Sequence, residues 1–185
     1  MKTLFIDTHL NDILVFLLDD GKVIDKREII GRKNNSEVLM PTVIDLIDNV
    51  DIGEILVVNG PGSFTSIRLG VTVAKTLAYT MNIPIKTLTS LQVSAISNNF
   101  SKIAISDGNG FYLGEFDNKF KLIKEYIYVN NSETSNIEDF NEYIKDYKID
   151  IEAVYTYLKN IETINAHDVN PIYVKKIGVE IDKKG

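Results

Sequence analysis

Six residues carry the chemistry this sequence offers: Asp7, Thr8, Gly60, Gly62, Ser63 and Asp107. Gly60 and Gly62 flank Pro61 in the stretch NGPGSFTSIRLG, residues 59–70. Glycine serves where φ is positive or where another chain segment comes close. Ser63, Thr65 and Ser66 can cap a following helix. The N–H groups of a helix start can hold an anion, so the stretch has the makings of a phosphate cradle. It matches neither standard loop. No lysine stands in the Walker position, and Thr65 occupies the place of the third glycine in Gly-x-Gly-x-x-Gly. On spacing, a structural turn is the favoured reading. Arg68, one helical turn inside, can meet an anion or pair with an acidic neighbour.

Asp7 and Asp107 each close a strand-like run. An aspartate there can hold hydrated Mg²⁺ near phosphates, or it can cap a turn. His9 and His167 are the only histidines, and no H-E-x-x-H cluster joins them. The nucleophile elbow Gly-x-Ser-x-Gly is missing, which speaks against a serine hydrolase. With no cysteine, thiolate nucleophiles, thiolate metal sites and disulfides are excluded. A nucleotide enzyme with two lobes also needs a glycine loop in the second. Residues 158–170, LKNIETINAHDVN, contain no glycine.

Runs of apolar residues mark strands at 2–7, 13–18 and 22–30. Asp19-Asp20-Gly21 supplies a hairpin turn between the last two. Ser36 is the expected N-cap of a first helix that begins near Met40, so that Pro41 falls in its first turn. Met40, Ile44 and Ile47 lie beside its main apolar stripe. A strand at 54–58 precedes the glycine stretch, and a helix spans 66–81. On that helix Gly70, Ala74 and Ala78 recur every four residues, where small side chains let another backbone approach. A strand at 85–88 and a short helix at 90–96 capped by Ser90 follow. The second half repeats this order: strands at 102–106, 111–116 and 121–129, a helix at 137–147 and a strand at 151–157. The expected architecture is α/β, with lobes at 1–100 and 101–185, each a mixed sheet flanked by helices, the second shortened.

The 185-residue chain is 44% hydrophobic and carries a formal net charge of −6. Without a dense basic stripe it is a poor stand-alone binder of nucleic acid. Its apolar runs are shorter than the ~20 residues of a membrane span. No secretion signal opens it. A cytoplasmic protein with no membrane association is the expectation.

These residues resemble the bacterial TsaB (YeaZ) family. The resemblance rests above all on GPGSFTSIRLGVTVAKTLAY, residues 60–79. Asp7-Thr8, Ser36-Glu37 with Leu39 and Pro41, and Ile83-Pro84-Ile85 support it, as do Thr89-Ser90-Leu91, Asp107 with Phe111-Tyr112, and Pro171-Ile172-Tyr173-Val174. Asn35 stands where the family usually has histidine, and Ser66 where it usually has glycine. No arginine follows Asp107, and the second lobe is short.

The resemblance implies the actin-like, sugar-kinase-like ATPase (ASKHA) fold with two duplicated lobes. It implies a non-catalytic scaffold rather than an enzyme. Such a chain binds and activates TsaD, which transfers a threonylcarbamoyl group to the adenosine beside the anticodon of tRNAs reading codons that begin with A. It also helps recruit the ATPase TsaE. ATP and Mg²⁺ are used by the complex and not bound by this chain alone. tRNA is met only through the complex, and the chain alone forms a homodimer. The shared interface would comprise Met40, Ile44 and Ile47 with Ile67, Gly70, Val71, Ala74 and Ala78. Asp7, Thr8, Gly60, Gly62, Ser63 and Asp107 become relics of a nucleotide fold. A small ATP-dependent kinase or a protease directed at TsaD are the alternative readings.

Overall fold

The computed structural model describes residues 1–10, 12–31, 35–132, 147 and 149–175. Its centre is a five-stranded sheet of β1 (Lys2–Asp7), β2 (Ile13–Asp19), β3 (Lys22–Ile29), β4 (Glu54–Val58) and β5 (Ile85–Leu88), in the order β3-β2-β1-β4-β5. β1, β2 and β3 run antiparallel as consecutive hairpins, while β4 and β5 lie parallel to β1. Asp20 and Gly21 turn the β2–β3 hairpin with positive φ, as that dipeptide favours. β1 and β4 read as unbroken apolar runs because both faces of the sheet are covered. β3 is the exposed edge. Its Lys22, Asp25, Lys26, Arg27 and Glu28 discourage pairing with another sheet.

Helices α1 (Asn35–Ile47) and α2 (Phe64–Met81) cover one face. Their Leu39, Val43, Leu46, Ile67, Val71 and Ala74 pack on Leu4, Ile6, Val15, Ile55 and Val57. Helices α3 (Ser90–Asn98) and α4 (Ile151–Leu158) cover the other. There Val93, Ile96, Ile151, Val154 and Leu158 meet Phe5, Phe16, Leu56 and Val58. Residues alternate between these two cores along each central strand, as the pleat requires.

Three sequence expectations change here. Ser36 is not a cap: α1 already includes Asn35, and Pro41 sits exposed inside it. Thr89, not Ser90, caps α3. Its hydroxyl accepts from Gln92 N, and the Gln92 side chain accepts from Thr89 N in return. Residues 151–157, read as a strand, are helix α4. Asp150 caps it by accepting from Ala153 N, and its buried Ile151, Val154, Tyr155 and Leu158 follow the helical period.

A second sheet joins β6 (Lys102–Ser106), β7 (Gly110–Glu115) and β8 (Ile127–Asn130), antiparallel in chain order. The strand expected over 121–129 is confined to β8 at its far end, with one isolated bridge from Leu122 to Phe116. The helix expected over 137–147 lies outside the described residues, apart from Tyr147. After β8 the chain returns to the first sheet through α4 and a segment at 164–172. Ile164 bridges to Ile85, and Ile172 N donates to Asn59 O at 2.7 Å.

Candidate functional site

β1 delivers Asp7 to the end of the central sheet, where its side chain is 1% exposed. Asp7 Oδ1 accepts from His9 N at 3.0 Å and from His9 Nδ1 at 2.7 Å. Its Oδ2 accepts from the Tyr147 hydroxyl at 2.7 Å. The His9 ring stands edge-on to Tyr147, with centroids 4.2 Å apart. Burial pushes the Asp7 carboxyl upward, but His9 and then Tyr147 outweigh that and hold it below its ordinary value. Burial, then the Asp7 charge, raise the Tyr147 phenol well above its usual range.

The glycine stretch grips this strand end. Ser63 N donates to His9 O at 2.7 Å, and Thr8 Oγ1 donates to Ser66 O at 2.6 Å. A side chain on Gly62 would run into the His9 carbonyl. One on Gly60, at φ +104°, would meet the Ile172 carbonyl and Ile67. Three consecutive carbonyls of the stretch are held by the rest of the chain. Gly60 O accepts from Ser90 N at 2.9 Å, and Pro61 O from Ser90 Oγ at 2.7 Å. Gly62 O accepts from the Tyr112 hydroxyl at 3.1 Å. The geometry is that of a packed junction between β1, α2, α3 and β7.

Asp107 closes β6 in a parallel manner. Its Oδ1 accepts from Asn109 N at 2.9 Å, Gly110 N at 3.0 Å and the Tyr128 hydroxyl at 2.9 Å. Lys175 Nζ reaches Asp107 Oδ2 at 3.1 Å and lies 4.5 Å above the Tyr128 ring. Burial raises the Asp107 carboxyl, and these donors more than reverse it. The Tyr128 ring packs 4.9 Å from that of Tyr112, whose hydroxyl is pushed up to about 12 by burial and by Asp107. A tyrosine chain thus links Asp107 to Gly62. Asp7, Thr8, Gly60, Gly62 and Ser63 meet directly; Asp107 joins them through Tyr128 and Tyr112.

Both oxygens of Asp7 and of Asp107 accept hydrogen bonds from the chain itself. Among the described residues no three His, Asp or Glu side chains gather to hold a metal ion. No described helix is long and apolar enough to cross a membrane.

The expected interface residues divide sharply. Ile67, Val71, Ala74 and Ala78 are buried in the chain's own core, Ala74 at 0% exposure. A side chain on Gly70 would strike Thr8 Oγ1 of the same chain. The small-residue stripe therefore serves internal packing. Ile44 is 55% exposed, and Met40 and Ile47 are half-buried beside it. His9 and Tyr112 join the site, and Tyr128, Tyr147 and Lys175 complete it without any signal in local sequence. Tyr147 lies 140 residues from the carboxylate it binds.

The sheet clasped between two helix pairs, with a glycine junction at the end of β1, defines a mixed α/β protein of the YeaZ fold. Two solved structures from Pseudomonas aeruginosa superpose with a TM-score of 0.71, at 16% identity, over 94% of this chain and 99% of theirs. One is titled YeaZ; the other is described as similar to peptidase YEAZ. The family model for TsaD, tRNA N6-adenosine threonylcarbamoyltransferase, matches residues 29–134, over half of the chain. The TsaB protein of Bacillus subtilis is 33% identical over 137 residues, 69% of this chain and 60% of that protein. Escherichia coli TsaB is 32% identical over 100 residues, 51% of this chain and 43% of that protein. The chain belongs to this threonylcarbamoyltransferase family and, within it, to the TsaB (YeaZ) group. It spans 60% and 43% of the lengths of these two curated relatives.

Proposed function

We propose that this chain is a non-catalytic partner subunit in tRNA threonylcarbamoyladenosine synthesis. It binds TsaD, holds it in a competent state and helps recruit the ATPase TsaE. The observation that carries this reading, given the family, is the engagement of Asp7 by His9 and Tyr147. The strand end where a nucleotide enzyme would place its metal is filled by the chain itself. At that strand end the chain alone then binds no ATP or Mg²⁺; these and tRNA are used by the assembled complex, and the chain alone pairs with itself. The division into lobes at 1–100 and 101–185 is part of the proposal, with α4 returning to the first lobe.

The partner surface is the outer side of α1 and α2. Ile44 supplies exposed apolar area there. The exposed Thr76 and Thr80 direct their hydroxyls to Thr72 O and Thr76 O, at 2.9 and 2.8 Å. They need no hydrogen bond from a partner, which suits close helix packing. Mixing this chain with TsaD of the same organism tests the reading by light scattering. A defined heteromeric mass is expected, and tRNA modification should depend on this chain. Modification that proceeds equally well without it overturns the proposal.

A further inference from the structure

We infer that a groove between α3, the turn at 117–121 and α4 binds a nucleoside phosphate. The groove encloses about 610 Å³, a size typical of small-molecule sites. It shares no lining residue with the Asp7 junction, and its assignment does not depend on the partner reading. Ile96, Phe120, Tyr157 and Ile161 supply its apolar surface. The Phe120 and Tyr157 rings stand edge to face, 6.0 Å apart at 82°. Such rings can stack on a flat heterocycle.

The turn that carries Phe120 is built at a cost. Phe120 has φ +55°, a region that disfavours bulky side chains. The turn is closed by Phe120 N donating to Asp117 O and Asp117 N to Lys121 O, at 3.0 and 2.9 Å. Asp117 Oδ1 accepts from Lys119 N and Lys121 N, at 2.8 and 2.9 Å. A glycine or asparagine would relax that backbone. Strain held at one aromatic beside a cavity is characteristic of functional sites.

The polar rim specifies the ligand. The side-chain amides of Asn99, Asn118 and Asn160 line the groove and make no hydrogen bond among the described residues. Each offers a donor and an acceptor, as the edge of a base requires. Lys119 and Lys121 also line it, and neither ammonium has an ion pair among the described residues. Among the described residues that line the groove there is no carboxylate; Asp117, in the same turn, feels the charge of both lysines. Aromatic surface, amides and two lysines without an ion pair among the described residues together match a base that carries a phosphate. Free nucleotide and a nucleotide within an RNA strand present the same groups.

The test titrates the full chain by calorimetry with AMP, adenosine, inorganic phosphate and a single-stranded adenine hexanucleotide. AMP is expected to saturate one site more tightly than adenosine or phosphate. Lys119→Ala with Lys121→Ala should weaken AMP about tenfold and leave adenosine nearly unchanged. Tyr157→Ala should weaken both, and the melting temperature of each variant reports its folding. Hexanucleotide binding without AMP binding, lost in the lysine variant, assigns the site to RNA and supports the inference. No saturable binding of AMP or hexanucleotide at millimolar concentrations overturns it. So does binding that the lysine pair does not alter.

Discussion

The Tyr147 hydroxyl donates to Asp7 Oδ2 at 2.7 Å, tying the end of β1 to a residue 140 positions later. The bond is buried, and it completes the set of partners around that carboxylate. Replacing Tyr147 with Phe leaves an ionised oxygen without its donor. Loss of a hydrogen bond to a buried charge costs about 1–3 kcal/mol. Urea unfolding of Tyr147→Phe should show a destabilisation in that range with an unchanged slope. An unchanged midpoint would mean that water replaces the hydroxyl and that the junction is not closed.

The same pair sets a pH response at both extremes. The folded pKa of Asp7 is lowered, so its stabilisation is present above the unfolded value, about 3.9, and is lost as pH falls through the folded one. The folded pKa of Tyr147 is raised, so its share is intact below about pH 10 and is lost as pH rises through its folded value. Tyr112 adds a parallel loss toward about 12. Urea midpoints across this range should fall at both ends for the native chain. Asp7→Asn should flatten the acid side, and Tyr147→Phe the alkaline side.

Much of this arrangement is written locally, and part of it is not. The β2–β3 hairpin is legible because Asp20-Gly21 specifies its own turn. The helix after the glycine stretch is legible from its apolar period. Residues 151–157 mislead because Ile, Val and Tyr are good strand formers; the Asp150 cap and the burial of Val154, Tyr155 and Leu158 override that preference. The stripe Gly70, Ala74 and Ala78 announces a close approach but cannot name the segment that approaches. Here it is the chain's own β1 end and sheet. The Tyr147–Asp7 pairing has no local signature at all, since 140 positions separate the two residues.

The glycine junction makes a contrast between two single-methyl changes. A side chain on Gly62 collides with the backbone of His9, which cannot swing aside as a flexible side chain would. Gly108 has φ +88° but open space around it. Gly108→Ala should cost only the conformational penalty of about 1 kcal/mol. Gly62→Ala should cost about 3 kcal/mol, the upper range for overpacking. Thermal unfolding of the two variants measures the difference. Equal losses would remove the junction's special status and reopen the stretch as a ligand loop.

The helix face yields the sharpest separation between folding and assembly. Ala74 is fully buried against the chain's own core, so Ala74→Arg should disrupt the fold itself. It therefore says nothing about a partner. Ile44 is more than half exposed and lies outside the buried core, so Ile44→Arg should change stability by no more than about 0.5 kcal/mol. At an apolar interface, however, that arginine would bring an unpaired charge into contact with the partner. Loss of an interface anchor and burial of the charge should weaken association by about 2 kcal/mol or more, roughly thirtyfold. Light scattering with TsaD, and on the chain alone, reads the effect as a shift toward monomer at fixed concentration. If Ile44→Arg folds normally and both assemblies keep their mass, the partner surface is not the outer side of α1. The interface would then have to be sought on the second sheet.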